Sequence, residues 1–510
     1  MIHVSCIAHC SKNLRRISLG IVLTLVLIPV GIAGAQAPKK HLTESPAKDS
    51  ATKVSATNLS ATTVEVYLSS AETKPGPTQQ PSIQFGARRA PELTITVNPA
   101  IRYQPIDGFG ASLTESSAWL LATKLTDSQR NDLLEKLFDP QKGIGLSLLR
   151  QPMGASDFAL KPYTYDDEPS GESDPSLKHF SIQHDQSYVI PLLRRALAIN
   201  PHIKIFASPW SPPAWMKSSQ SVLQGSLLLT AYQPLADYFV KYIQAYEKEG
   251  VPIFAVTMQN EPLNIPADYP GMGMSAAEQA MFLRDALGPA FRRANLKTKI
   301  LIFDHNWDLI HFAIEILEDP KAASYVSGIA THCYGGNPSA QEELHNRFPN
   351  SPIWMTECSG GGWQNGNLLV QQVRLIIEST RHWSRGVILW NLALDQDHKP
   401  YLGGCDKCRG VVTINDNGSS VEVELTVDFT ALAHASKFVQ PGARRIESNT
   451  FGEGSLEDVA FQNPNGSVVL LALNSASRPI TFNIAWAGKY SVYTLNGGNA
   501  ATFVWKTARQ

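Results

Sequence analysis

From Asp107 to Leu394, short apolar runs alternate with amphipathic helical patterns, and this alternation leaves few folds open. The runs are Leu146–Leu149, Ile203–Ala207, Phe254–Met258, Ile300–Phe303, Gly328–Thr331, Ile353–Met355 and Val387–Trp390. Between them lie helices such as the one with Leu235, Tyr238, Phe239, Tyr242, Ile243 and Tyr246 on one face. Another opens with Ser275 followed three residues later by Glu278, the pattern of a capping box. With Asp107–Gly110 as the first strand, the count reaches eight βα units, the number in a (β/α)8 TIM barrel. A doubly wound sheet shows the same alternation, so spacing by itself leaves both open.

The rest of the chain divides by texture. At 510 residues it has room for a barrel and a second unit. After about Val421 helices fade, and Val468–Leu473, Ile480–Ile484, Tyr490–Leu495 and Thr502–Trp505 read as strands separated by Asn/Gly turns. The expected fold class is α/β, a TIM barrel over 92–425 with a β-sandwich over 426–510, completed by strands within 60–100. Residues 36–91 are rich in Ser, Thr, Ala, Pro and Gln and read as a linker. Val64–Leu68 alternates within it and reads as one ordered strand.

At the N-terminus, Lys12, Arg15 and Arg16 precede an apolar run from Leu19 to Ile32, followed by Ala35-Gln36-Ala37. Residues 1–35 therefore read as a secretory signal peptide. The run is shorter than a span needs and is broken by Pro29, so no stable membrane span is expected after its removal. The expected location is secreted or periplasmic, where a Cys405–Cys408 disulfide is permitted. Cys333 and Cys358 are single, sit at apolar strand ends and read as packing residues. A net charge of −1 argues against a nucleic-acid partner, which needs a basic face. A monomer is the default expectation.

The chemistry lies at the strand ends. The fourth strand runs into Gln259-Asn260-Glu261-Pro262 and the seventh into Thr356-Glu357-Cys358. In a barrel these ends face one site, and two buried acids without a use are costly. Glycoside hydrolysis needs such a pair, about 5–5.5 Å apart when configuration is retained. An ionised Glu357 is expected to raise the pKa of Glu261 and keep it protonated. Trp210 and Trp215 follow the third strand, His332 and Tyr334 the sixth, and Trp390 ends the eighth. Trp faces beside placed polar groups suit a sugar. A single Trp, or His332 alone, is more often structural.

Taken in order, Asp107–Ser112, Arg150 before Pro152-Met153-Gly154, Ser208–Pro212, Gln259–Pro262, Thr356–Cys358, Trp390–Leu394 and Ser436–Gly442 resemble glycoside hydrolase family 30, which includes glucosylceramidases and microbial relatives. The resemblance runs from about Leu93 to near the end. It implies a barrel fused to a sandwich, retention, Glu261 as acid/base and Glu357 as nucleophile. It further implies Asn260 on the sugar 2-hydroxyl, with Glu115, Trp210, His332, Tyr334 and Trp390 lining the glycone site. No metal or cofactor is expected. Two positions depart from the pattern: Glu115 stands where Asp is common, and Gly410 follows Arg409 where Asn occurs. With the Cys405/Cys408 loop, the second departure favours β-glucosides, including β-1,6-linked glucan, over a glycolipid.

Three alternatives remain at this level. A non-catalytic carbohydrate-binding protein could share the fold. A metal-dependent hydrolase could use Asp304, His305, Asp308 or His332, although three or four converging ligands are not evident. A β-xylanase or β-fucosidase would keep both glutamates and differ in its loops.

Overall fold

The computed structural model describes residues 63–72, 75–87 and 93–506. The signal-peptide reading lies outside them. Eight parallel strands close a barrel in sequence order: β1 (Gly108–Ser112), β2 (Leu148–Pro152), β3 (Lys204–Ser208), β4 (Ile253–Thr257), β5 (Lys299–Asn306), β6 (Gly328–His332), β7 (Ile353–Glu357) and β8 (Ser384–Leu389). β8 returns to β1 with Gly386 opposite Gly108. This closure decides for the barrel over the doubly wound sheet. Every residue of β1, β2, β6 and β7 is buried, which is why these runs carry no apolar/polar alternation. A Cβ on Gly110 would lie 1.7 Å from the Leu148 carbonyl oxygen, so only glycine lets β1 approach β2 this closely.

Leu148, Phe206, Ala255, Leu301, Ala330, Trp354 and Ile388 fill the barrel interior below the site. The outer helices bury their apolar stripes. In Tyr232–Lys248 the buried face includes Leu235, Tyr238, Phe239, Tyr242, Ile243 and Tyr246, each such side chain contributing roughly 1.5–3 kcal/mol. Ser275 caps Ala276–Phe282, with Glu278 bonding back to its N–H at 2.7 Å. Among the described residues no helix is long and apolar enough to cross a membrane.

The second unit is built on a nine-stranded sheet. Its order is Lys489–Leu495, Ile480–Trp486, Leu93–Pro105, Arg444–Ser448, Leu456–Gln462, Val468–Asn474, Ala500–Trp505, Thr63–Ser69 and Thr78–Gln84. Val64, Val66, Ile95, Phe482, Ile484, Trp486, Phe503 and Trp505 share its separate core. The N-terminal strands thus complete the sandwich, and Leu93–Pro105 pairs there rather than in the barrel. The expected fading of helices is corrected by Val427–Ser436, a helix buried on nearly every side against β1 and Ala500–Trp505. A helix buried on every face, with Asp428, Thr430, His434 and Ser436 among its buried residues, has no amphipathic period to read.

Both cysteine pairs are bonded. Cys405–Cys408 forms the permitted disulfide. Cys333 and Cys358, expected to be packing residues, are instead joined to each other. The barrel brings the ends of adjacent β6 and β7 together, a proximity that a separation of 25 residues conceals.

Candidate active site

The site stands on a buried ion pair. Arg150, the central residue of β2, is 1 % exposed, and such a charge persists only when paired. Its Nη2 donates to Asp304 Oδ2 at 2.8 Å and to Asn260 Oδ1 at 2.7 Å, and its Nη1 donates to Glu357 Oε2. Asp304, on β5, also accepts from Ser208 (2.8 Å), Thr257 (2.6 Å) and Thr356 (2.7 Å), so donors from β2, β3, β4 and β7 meet at one carboxylate. Burial pushes Asp304 up, but Arg150 and His332 outweigh it and hold the carboxyl well below the usual range.

Two acids rise above this base. Glu261 follows β4 with φ of 41°, a left-handed backbone unusual for a glutamate. Its N–H donates to the Asp304 carbonyl at 3.0 Å, which holds that conformation. Its Oε1 lies 3.0 Å from His332 Nδ1, and its Oε2 accepts from Asn264 at 3.0 Å. Glu357 ends β7 and accepts the Tyr334 hydroxyl on Oε1 at 2.9 Å. One oxygen of each glutamate and one ring nitrogen of His332 all lie within 4.8 Å of one another.

The protonation pattern differs from the sequence expectation. Burial pushes His332 down, but Glu357, Asp304 and the bonds to Asp304 (2.9 Å) and Glu261 outweigh it and carry its pKa up to about 9. Burial raises Glu261, yet the His332 hydrogen bond and charge more than offset this and leave Glu261 below its ordinary value. Burial keeps Glu357 above its own, against His332 and Arg150. The expectation that Glu357 holds Glu261 protonated is therefore corrected for the free protein, because the cation beside Glu261 outweighs the anion. The trio could offer three ligand atoms to a metal, as could Glu168, Asp174 and His179 on the loop after β2. A protonated His332 with both ring nitrogens donating has no lone pair for an ion.

The acids open into a cleft of about 770 Å³ lined by Asp157, Asn264, Tyr269, Tyr334, Trp363 and Trp390 among others. Trp210 stacks on Trp390 with centroids 5.0 Å apart, and the Arg150 guanidinium lies 4.9 Å from the Trp210 ring. Trp363 stands at the rim, 48 % exposed. The Cys405–Cys408 loop borders the same cleft. A Cβ on neighbouring Gly410 would lie 2.6 Å from the Val412 carbonyl oxygen, which explains the departure noted there.

Most residues singled out in sequence meet here: Glu261, Glu357, Tyr334 and Trp390 line the cleft, His332 and Asn260 bond to its charged groups, and Trp210 backs Trp390. Glu115 does not. It is buried and does not line the cleft, bonded to His184 at 2.5 Å and to the Leu160 N–H at 2.9 Å. The acid in the cleft is Asp157, which sequence reasoning missed. Its Oδ1 is buried without a partner, and burial followed by the charge of Glu357 pushes its pKa well up. Its only signal is its place just after Gly154-Ala155-Ser156 beyond β2.

A closed barrel with two glutamates converging from β4 and β7 over an aromatic cleft defines a glycoside hydrolase. Residues 106–439 match the glycosyl hydrolase family 30 TIM-barrel domain and 442–503 the family 30 β-sandwich domain, and the chain belongs to this family of retaining β-glycosidases. It is 33% identical to an endo-1,6-β-D-glucanase of Aspergillus fumigatus over 436 residues, 79% of this chain and 86% of the relative. It is 31% identical to the lysosomal acid glucosylceramidase of Mus musculus over 448 residues, 81% and 84% of the two chains. A solved endo-β1,6-glucanase superposes with a TM-score of 0.81 at 33% identity, covering 87% of this chain and 99% of that one.

Proposed function

We propose that the protein is an exported endo-β-1,6-glucanase in which Glu357 attacks the anomeric carbon and Glu261 serves as acid and then base. The observation that carries the roles is the approach of the two carboxylates to within 4.8 Å. This is near the spacing that lets the second acid bond directly to the sugar and too short for an intervening water. Glu357 suits attack because Arg150 and Tyr334 orient its two oxygens. Glu261 suits proton transfer because it shares a hydrogen bond with a cationic histidine. A sugar entering the cleft displaces water, and a drier site disfavours the His332⁺–Glu261⁻ pair. The proton then crosses 3.0 Å to Glu261, the form that protonates the leaving oxygen. The resulting glycosyl ester on Glu357 is hydrolysed by water that Glu261 deprotonates.

For the glycone, Asn260 reaches the site from its bond to Arg150, Asp157 offers a free oxygen to a hydroxyl, and Trp390 offers its ring. The β-1,6-glucan assignment draws on the relatives of that activity and on the open rim at Trp363 and Leu263. Export draws on the N-terminal sequence pattern and two disulfides.

The test is hydrolysis of β-1,6-glucan, β-1,3-glucan, xylan, glucosylceramide and aryl β-glucosides by wild type, Glu357→Gln and Glu261→Gln. Expected are release of β-configured oligosaccharides from β-1,6-glucan, an inert Glu357→Gln, and a Glu261→Gln active only with good leaving groups. Turnover of glucosylceramide or xylan alone would reassign the substrate. Binding of sugar without turnover would make the glutamates ligand contacts.

A further inference from the structure

The ends of β6 and β7 carry three of the groups described above, yet their backbone pairing is irregular there. The ladder runs regularly from Ile329 opposite Ile353 to Thr331 opposite Met355. It then slips, because the next pair is His332 with Glu357 and Thr356 has no opposite residue. On the other side of β7, the pairing with β8 extends only to Met355 opposite Val387. At Glu357 the pairing with β6 is bulged and the pairing with β8 has ended.

One residue further on, Cys333 and Cys358 are covalently joined, with Cα atoms 5.3 Å apart. Cys358 directly follows Glu357, and Cys333 lies between His332 and Tyr334. The Cys358 carbonyl also accepts the Trp390 N–H at 2.7 Å, so the same residue ties β7 to the end of β8. We propose that the Cys333–Cys358 disulfide is a positioning element of the active site. It reinforces the bulged ladder and holds the β6 end where the Tyr334 hydroxyl reaches Glu357 Oε1 at 2.9 Å. This inference rests on the reading of Glu357 as the nucleophile.

A disulfide that closes a short loop also stabilises the fold, and a lower unfolding temperature on its removal says nothing about positioning. The distinguishing quantity is kcat, since misplacing a reacting group by about 1 Å can cost on the order of 100-fold. The experiment compares wild type, Cys333→Ala/Cys358→Ala, Tyr334→Phe and the triple variant on an aryl β-glucoside and on β-1,6-glucan. Each is assayed well below its own unfolding midpoint.

The cysteine pair variant is expected to lose kcat by about tenfold or more with KM changed by less than about threefold. The triple variant is expected to fall no further than Tyr334→Phe, because both changes break one contact. If the pair variant keeps wild-type kcat and only melts earlier, the bond is a structural staple and the proposal is wrong. Multiplying losses in the triple variant would also overturn it. Should the alanine pair not fold, Cys333→Val/Cys358→Ala refills the sulfur volume and is read in the same way. Wild type inert on both substrates would instead overturn the glycosidase reading underneath.

Discussion

His332 Nδ1 lies 3.0 Å from Glu261 Oε1, and this contact offsets burial to hold Glu261 below its ordinary value while burial keeps Glu357 above its own. With its pKa carried up to about 9, His332 is expected to be a cation at neutral pH in the free protein. Imidazole ¹⁵N shifts of histidine-labelled protein check this directly. In Asp304→Asn the His332 pKa should fall, because one of the two carboxylates bonded to its ring is gone. The sign for stability follows. A folded-state pKa above the unfolded value of about 6.5 contributes stability that is complete below that value. That stability is lost as pH climbs through about 9, so alkaline unfolding should be shallower in His332→Asn.

Arg150 bridges Asp304 and Glu357 at 1 % exposure, and its removal strands two carboxylates in the barrel. Arg150→Met is expected to cost about 3–5 kcal/mol, the penalty for breaking a buried pair from one side. Denaturant unfolding measures it. In whatever fraction stays folded, Glu357 loses a cation that lowers its pKa. Its pKa therefore rises, and the acid limb of kcat/KM should move to higher pH.

The barrel was legible because buried parallel strands and amphipathic helices differ in period, and both acids were legible because each directly follows an apolar run. Glu115 was placed at the glycone site by the family resemblance alone, and no neighbouring residue in the sequence marks its partner. In space, His184 arrives from a distant loop and consumes it. Asp157 was invisible for the complementary reason, since no period or cap marks a loop residue whose value is an unpaired oxygen aimed into a cleft. The Cys333–Cys358 bond and the proton on His332 depend on distances between neighbouring strands, which sequence spacing does not carry.

Asp157 should separate function from stability. Its buried, unpartnered Oδ1 costs the free protein energy, so Asp157→Asn is expected to leave the unfolding temperature equal or higher. If that oxygen is reserved for a sugar hydroxyl, kcat/KM should fall by roughly tenfold, the loss of a hydrogen bond of about 0.5–1.5 kcal/mol. Thermal unfolding and kinetics on one aryl β-glucoside decide it. A lower melting temperature with unchanged kcat/KM would make Asp157 a structural acid.

Asp458 offers a test away from the chemistry. It is fully buried on Leu456–Gln462 in the sandwich, and Arg381 of the helix Leu368–Arg381 stands 4.0 Å from its carboxylate. Burial pushes its pKa up to about 7, with Arg381 opposing. A raised folded-state pKa means the native protein holds this proton more tightly than the unfolded chain. The contribution is complete below about pH 4 and is lost as pH rises through about 7, roughly 4 kcal/mol at most at 1.36 kcal/mol per unit. Asp458→Asn keeps the shape and removes the titration. Its unfolding midpoint should therefore match or trail wild type at pH 4 and exceed it at pH 8, with the gap opening between those values. A gap independent of pH would mean that Asp458 stays ionised beside Arg381, and that the pair is an ordinary buried ion bridge.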